Sequence, residues 1–127
     1  MVDTLFGKKQ NRLKEGCWKE FNKHAVLISV GHYRQGHKHG HWQEDYDSGE
    51  LMIDEYYEDG VLHGKFSTYH PNGNVMSEGV YVHGSREGVF KIYNEDGVQI
   101  KSLLFFGNNL IEEINAMPTM RETSVRT

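Results

Sequence analysis

Three histidines, His37, His39 and His41, are spaced two residues apart. Alternate residues of an extended strand point to one face, so three imidazoles in this pattern could ligate zinc or nickel. A histidine followed by glycine recurs at His63, however, which indicates that His39 and His63 are ordinary positions of a repeat. We therefore expect neither a metal nor a cofactor.

The other reactive side chains do not form a known catalytic pattern. The sequence contains no Gly-x-Ser-x-Gly motif, phosphate-binding glycine loop, dinucleotide fingerprint or His-Glu-x-x-His motif. Its one cysteine, Cys17, lies between Gly16 and Trp18 in an aromatic segment, where we expect a packed thiol and not a nucleophile. We predict that the protein is not an enzyme.

Acidic and basic side chains are unevenly distributed. Residues 44–59 carry eight carboxylates and no Lys or Arg, whereas residues 8–23 carry six Lys and Arg side chains. One interpretation is a solvated surface that keeps a sheet soluble; the other is a negative patch that steers and masks a basic protein partner. The predicted partner-binding residues are Glu44, Asp45, Tyr46, Asp47, Asp54, Glu55, Tyr56, Glu58 and Asp59.

Length and composition narrow the class of protein. A chain of 127 residues is about one domain, and its 14 glycines and 12% aromatic residues favour aromatic strands joined by tight turns. One cysteine excludes an internal disulfide framework, and a net charge of -4 argues against direct nucleic-acid binding. No apolar run is long enough for a membrane span or a signal peptide, so we expect a cytoplasmic protein.

An internal repeat of 24 residues sets the elements that must position these side chains. Glycines open four units, and aromatic and glycine columns recur at fixed offsets from them. Ala25 and Asn108 are the exceptions in the two glycine columns. The repeat residues are Gly16, Trp18, Tyr33, Gly36, Gly40, Trp42, Gly49, Tyr57, Gly60, Gly64, Phe66, Gly73, Tyr81, Gly84, Gly88, Phe90, Gly97 and Phe105.

Each unit has the pattern of a β-hairpin. In the third unit an aromatic segment leads into the turn residues 70–73, and a second strand-like segment follows over residues 75–82. Since an isolated hairpin is barely stable, successive hairpins must pair edge to edge, with the two aromatic columns forming two rows. We predict an all-β fold, an open antiparallel sheet of stacked β-hairpins with units 16–39, 40–63, 64–87 and 88–108.

The two flanks are expected to cap this sheet. We assign residues 1–15 to an N-terminal cap, residues 109–117 to a short capping helix and residues 118–127 to a disordered tail. Asn109 and Glu112 fit a helix capping box. The apolar face of the helix comprises Leu110, Ile111, Ile114 and Met117. This helix could instead dock a partner or a second copy of the chain.

The repeat pattern resembles the MORN repeat. The clearest stretches are residues 40–49 and 81–88, and the resemblance covers residues 16–108. Turns of the Asn-Gly and Asp-Gly kind after a short aromatic strand are most similar to bacterial MORN-variant proteins, including the YwqK-like antitoxins. This resemblance implies a hairpin-repeat fold and an antitoxin or immunity role in which the chain binds and occludes a protein partner.

The sequence thus predicts a non-catalytic protein-protein interaction module whose partner has a basic surface. Three alternatives stay open: a self-assembling scaffold that forms homo-oligomers, a viral-type inhibitor that mimics the charge of a nucleic acid, and a phospholipid-associated module. The net negative charge argues against membrane binding, because anionic lipids would repel the acidic middle of the chain.

Overall fold

The computed structural model describes residues 13–115, which form one open antiparallel sheet with no helix. Nine strands pair in sequence order, one more than the eight strands of the four predicted hairpins. The strands are β1 (Gly16–Phe21), β2 (Leu27–Arg34), β3 (His37–Asp45), β4 (Leu51–Glu58), β5 (Val61–Tyr69), β6 (Val75–Val82), β7 (Ser85–Tyr93), β8 (Gln99–Phe106) and β9 (Asn109–Asn115). In this part of the chain no helix is long and apolar enough to cross a bilayer.

Two kinds of turn alternate along the sheet. Short turns of two residues join β2 to β3, β4 to β5, β6 to β7 and β8 to β9, and both residues of each have positive φ, as in a type I′ hairpin. Longer loops of five residues make the other connections, and each is closed by two backbone hydrogen bonds. The fourth residue of each long loop has positive φ, which explains the glycine column that contains Ala25.

The predicted capping helix over residues 109–117 is wrong, because residues 109–115 form strand β9. The Gly107–Asn108 turn, with φ of 58° and 72°, returns the chain along the free edge of β8. Pairing with β8 gives the backbone N–H and C=O groups of these residues hydrogen-bond partners, whereas a helix this short would be only marginally stable in water. Leu110, Ile111 and Ile114 stay 51%, 58% and 53% exposed, so they do not form the docked apolar face that we expected.

The aromatic side chains form one row and not the two rows predicted. Trp18 and Tyr33 belong to different columns, but the β1–β2 register makes them diagonal neighbours on one face. Successive rings from Trp18 to Tyr57 and from Phe66 to Phe105 meet edge to face, with centroids 5.1 to 6.4 Å apart. We call the face that carries them the aromatic face. The aromatic row comprises Trp18, Tyr33, Trp42, Tyr57, Phe66, Tyr81, Phe90 and Phe105.

The small core is part of this row. Trp42, Phe90 and Phe105 are buried, and the indole N–H of Trp42 donates to the carbonyl oxygen of His32 at 2.9 Å. Trp42 lies directly on the backbone of Gly31, where an added Cβ would be 2.0 Å from the indole ring. Within residues 13–115 the aromatic rings are therefore buried against strand backbone and not against a second layer.

Three of the predicted segments extend beyond residues 13–115. Most of the predicted N-terminal cap, residues 1–12, the last two residues of the predicted helix, 116–117, and the predicted disordered tail, residues 118–127, lie outside the described residues. Residues 13–15 precede β1 without regular secondary structure.

Candidate functional site

The predicted acidic partner-binding residues do not form one patch. Asp54 and Tyr56 lie on the face opposite the aromatic face, where their register partners are Gln43 and His41. The other members are divided among the aromatic face, both ends of the strands and the interior. Glu44 and Asp45 line a groove of the aromatic face, Tyr46 and Asp47 lie in the β3–β4 loop, Glu58 and Asp59 lie at the β4–β5 turn, and Glu55 is buried.

Several of these acidic groups already have partners. Asp59 accepts a hydrogen bond at 3.0 Å from Arg34, which lowers the pKa of the Asp59 carboxyl. Asp54 contacts the Nε2 atom of His41. The Nε2 atom of His63 lies 3.7 Å from a carboxylate oxygen of Glu58. These carboxylates have less free charge to offer a partner than their number in the sequence suggests.

Glu55 is removed from the predicted binding set because it is only 5% exposed. It lies on the aromatic face between its register partners Trp42 and Phe66, and its carboxylate accepts a hydrogen bond from the Tyr57 hydroxyl at 3.1 Å. Burial raises the pKa of Glu55, and the same burial together with the Glu55 charge raises the pKa of Tyr57. A side chain in this position is enclosed by the sheet and has little exposed surface.

A groove of about 380 Å³ opens on the aromatic face near the N-terminal end of the sheet. We call it the aromatic groove. Its floor is the first part of the aromatic row, and lysines and carboxylates form its sides. Its lining residues are Lys14, Trp18, Glu20, Ile28, Ser29, Tyr33, Lys38, Trp42, Glu44, Asp45 and Met52.

Two lysines of the groove already make cation–π contacts with the aromatic row. The Lys14 ammonium lies 4.8 Å from the ring centroids of both Trp18 and Tyr33. The Lys38 ammonium lies 4.6 Å from the Trp42 centroid. These rings therefore accept ammonium groups in the geometry that cation–π attraction requires.

Three carboxylates border the same groove. Glu20 on β1 and Glu44 on β3 are both register partners of Ser29 on β2, so the two side chains flank one hydroxyl on the same face. Two strand spacings separate them, or about 10 Å. Burial raises the pKa of the third carboxyl, Asp45. Among residues 13–115 no ion pair neutralises any of the three.

The histidines support turns and do not converge as a trio. The Nδ1 atoms of His39 and His63 accept hydrogen bonds from the backbone N–H groups of Asp59 and His83 in the next short turn. Glu87 serves the Gly107 amide in the same way, so this repeat position needs an acceptor and not an imidazole. His41 instead stacks on Tyr56, with centroids 4.8 Å apart. The interpretation of His39 and His63 as ordinary repeat positions is confirmed.

Cys17 and a second groove complete the surface. The thiol is exposed on the edge strand β1, so the packed position predicted for it is wrong. The second groove, of about 420 Å³, lies on the opposite face and is bordered by both Lys65 and Lys91 as well as Glu78. Glu78 there accepts a hydrogen bond from the Tyr93 hydroxyl, which raises the pKa of Tyr93. This groove has no excess of free carboxylates.

Sequence reasoning missed two features of the aromatic groove. Glu20 lies outside the acidic segment 44–59 and joins Glu44 only through the register of three strands. Lys14, Lys38 and Arg86 occupy the same repeat position, two residues before an opening glycine, and each lies over an aromatic ring. That column was readable from the sequence, whereas the pairing of Glu20 with Glu44 required the sheet.

Residues 62–83 match the family model of the MORN repeat variant. This stretch contains most of β5, all of β6 and the first residue of the β6–β7 turn, which is close to one unit of the 24-residue repeat. No curated protein matches the chain. The chain therefore contains a MORN repeat variant in its third unit, and the other units repeat the strand bounds of that unit.

Proposed function

We propose that this protein is a non-catalytic interaction module of the antitoxin or immunity type, which binds and occludes a partner with a basic surface. The observation that carries the proposal is the pair of carboxylates, Glu20 and Glu44, on either side of Ser29 in the aromatic groove. A lysine or arginine of the partner could hydrogen bond to Glu20 or to Glu44 while its aliphatic stem covers the exposed Trp18. The resemblance to bacterial MORN-variant antitoxins supports the same role.

The preformed sheet suits inhibition by occlusion. Aromatic anchors beside polar groups are typical of the residues that dominate binding energy at protein interfaces. Because the groove is built on three paired strands, binding would cost little ordering of the backbone. Charge complementarity would act mainly on association rate and specificity, so binding should weaken as salt is raised.

The test is recovery of the tagged protein from its native cells, followed by reconstitution with the purified partner. We expect the double variant Glu20→Lys with Glu44→Lys to lose the partner. The matched control is Asp47→Lys with Glu50→Lys, which makes the same change in net charge in the β3–β4 loop. Equal loss in both variants, or in neither, would reject the groove as the binding surface.

A self-assembling scaffold is a second candidate, favoured by the two ends of the sheet. Among the described strands, β1 and β9 are each paired on one side only. Phe21 on β1 and Ile111 on β9 are both 58% exposed. Exposed edge strands with apolar side chains can pair with another chain. A purified protein that elutes as a dimer or larger, without a partner, would favour this function over the inhibitor.

A further inference from the structure

Side chains from successive hairpins meet beside some of the short turns. At the first such junction, the Arg34 guanidinium lies 3.0 Å from a carboxylate oxygen of Asp59, and the Nδ1 atom of His39 accepts a hydrogen bond from the Asp59 backbone N–H. The residues 24 positions later form the second junction, which we define as Glu58, His63 and His83. Here the basic residue is replaced by a carboxylate and the aspartate by an imidazole, so the second junction holds only groups that can ligate a metal.

The geometry of the second junction brings these groups close together. One ligand atom from each of Glu58, His63 and His83 lies within 4.8 Å of the other two. The rings of His63 and His83 are 4.6 Å apart between centroids, and the Nε2 atom of His63 is 3.7 Å from a Glu58 oxygen. This cluster therefore offers two nitrogen ligand atoms and one oxygen ligand atom.

We propose that Glu58, His63 and His83 form a binding site for a divalent transition-metal ion of the zinc class. Two imidazoles and one carboxylate are the donors that Zn²⁺ takes in sites with three protein ligands, and water completes the fourth position. Tetrahedral coordination would bring the ligand atoms to about 3.4 Å from one another, given zinc bonds of about 2.0–2.2 Å. The Glu58 and His83 side chains are exposed, so they can move closer to His63 and reach this shorter distance. This site differs from the trio of histidines weighed in the sequence.

Metal binding competes with one hydrogen bond of the turn. The Nδ1 atom of His63 accepts the His83 N–H at 3.0 Å, so the neutral ring carries its proton on Nε2. When Nε2 binds the ion, that proton moves to Nδ1 and the exposed His83 amide bonds to water instead.

The ion would join two units where the aromatic row is interrupted. Glu58 ends β4, His63 lies on β5 and His83 lies in the β6–β7 turn. Within the described residues, ring contacts of the row stop at Tyr57 and resume at Phe66. A metal at the second junction would therefore tie the second unit to the third beside this interruption.

The test is zinc titration of the untagged, chelator-treated full chain, in a Cys17→Ser background that removes the exposed thiol as a competing ligand. Calorimetry measures affinity, and NMR of the histidine ring protons locates the ion. In His63→Gln the new amide oxygen can still accept the His83 N–H, as Glu87 does for its turn. In His83→Asn the new side chain tolerates the positive φ of 48°.

We expect one Zn²⁺ per chain, with the largest ring-proton changes at His63 and His83. Affinity should fall by about tenfold or more in His63→Gln, His83→Asn and Glu58→Gln, since each removes one ligand. The matched control, His39→Gln, makes the same substitution at the first junction and should leave affinity unchanged. No saturable binding, or an equal loss in His39→Gln, would overturn the proposal.

Discussion

Residues at equivalent positions of this repeat have different roles, and Glu55 is the clearest case. The same position holds Gly31 in the first unit and Gly79 in the third, and at both an aromatic ring of the next strand lies on the glycine backbone. In the second unit the Glu55 side chain fills that space beside Phe66. No ring contact joins Tyr57 to Phe66 in the described part of the row. Glu55 thus lies where the aromatic row is interrupted.

The buried carboxyl of Glu55 should make stability depend on pH. Burial raises the pKa of Glu55 above its ordinary 4.5, so the folded chain holds this proton more tightly than the unfolded chain does. Its contribution to the free energy of unfolding is complete below pH 4.5 and is lost as pH rises through the folded-state pKa. Glu55→Gln keeps an acceptor for Tyr57 and removes this loss.

We therefore expect Glu55→Gln to be more stable than the wild type at pH 7, with the difference shrinking towards pH 4. Urea unfolding across this pH range measures it. Glu50→Gln, in the exposed β3–β4 loop, is the control and should show no such trend. A difference for Glu55→Gln that stays constant with pH would contradict the assignment.

A second prediction at the residue scale concerns Ala25. It has φ of 64° at a loop position that Gly49, Gly73 and Gly97 occupy in the other units. A left-handed conformation costs an L-residue about 1–2 kcal/mol, and part of that is offset by the greater entropy that glycine loses on folding. Ala25→Gly should raise the free energy of unfolding by up to about 1 kcal/mol. Thermal unfolding checks this, and Gly73→Ala should lower stability.

At the scale of elements, the short turns decide which segments become strands. Strands β3, β5, β7 and β9 all begin at the same repeat position, 24 residues apart. Each short turn also donates a backbone hydrogen bond to an earlier part of the chain. For example, the Gly60 N–H donates to the Lys38 carbonyl oxygen of β3 at 2.8 Å. The first turn donates in the same way to the segment before β1. The last turn keeps this bond through Asn108 and Arg86. Residues 109–115 are therefore placed beside β8, whatever their helical pattern.

The Gly107–Asn108 turn offers a test of this explanation. Both residues have positive φ, and the type I′ turn prefers Asn first and Gly second. The double variant Gly107→Asn with Asn108→Gly should stabilise the β8–β9 hairpin by a few tenths to about 1 kcal/mol. Amide hydrogen exchange should show slower exchange in β9 and no change in β3. Helical chemical shifts over residues 109–115, in either form, would contradict the strand.

At the scale of the whole molecule, the sheet has two runs of aromatic contacts. The first run ends at Tyr57 and the second begins at Phe66. In a repeat sheet each unit contacts only its neighbours, so stability is a sum of local terms. The interruption should make the junction of the second and third units the weakest point of cooperativity.

Loss of one ring in the second run should reveal this weak point. Phe90→Ala removes a buried ring at a cost of about 3–5 kcal/mol. Both tryptophans of the chain, Trp18 and Trp42, lie in the first run and report on it alone. We expect far-UV circular dichroism to show early loss of structure in urea while tryptophan fluorescence keeps nearly its wild-type midpoint.

Coincident transitions by the two probes would mean that the sheet unfolds as a single unit in spite of the interruption. Trp42→Ala is the converse of Phe90→Ala, since it weakens the first run and leaves Phe90 and Phe105 of the second run in place.

The sequence determined the repeat, its hairpins and their turns, because these depend on local spacing that recurs every 24 residues. It also indicated that His39 and His63 are repeat positions. Only the tertiary structure decided that residues 109–115 are a strand, that Glu55 is buried, and that Glu20 and Glu44 flank Ser29. Each of these features depends on contacts between strands, and the register of the strands sets those contacts. Bulges shift the register, and residue spacing along the chain does not encode that shift.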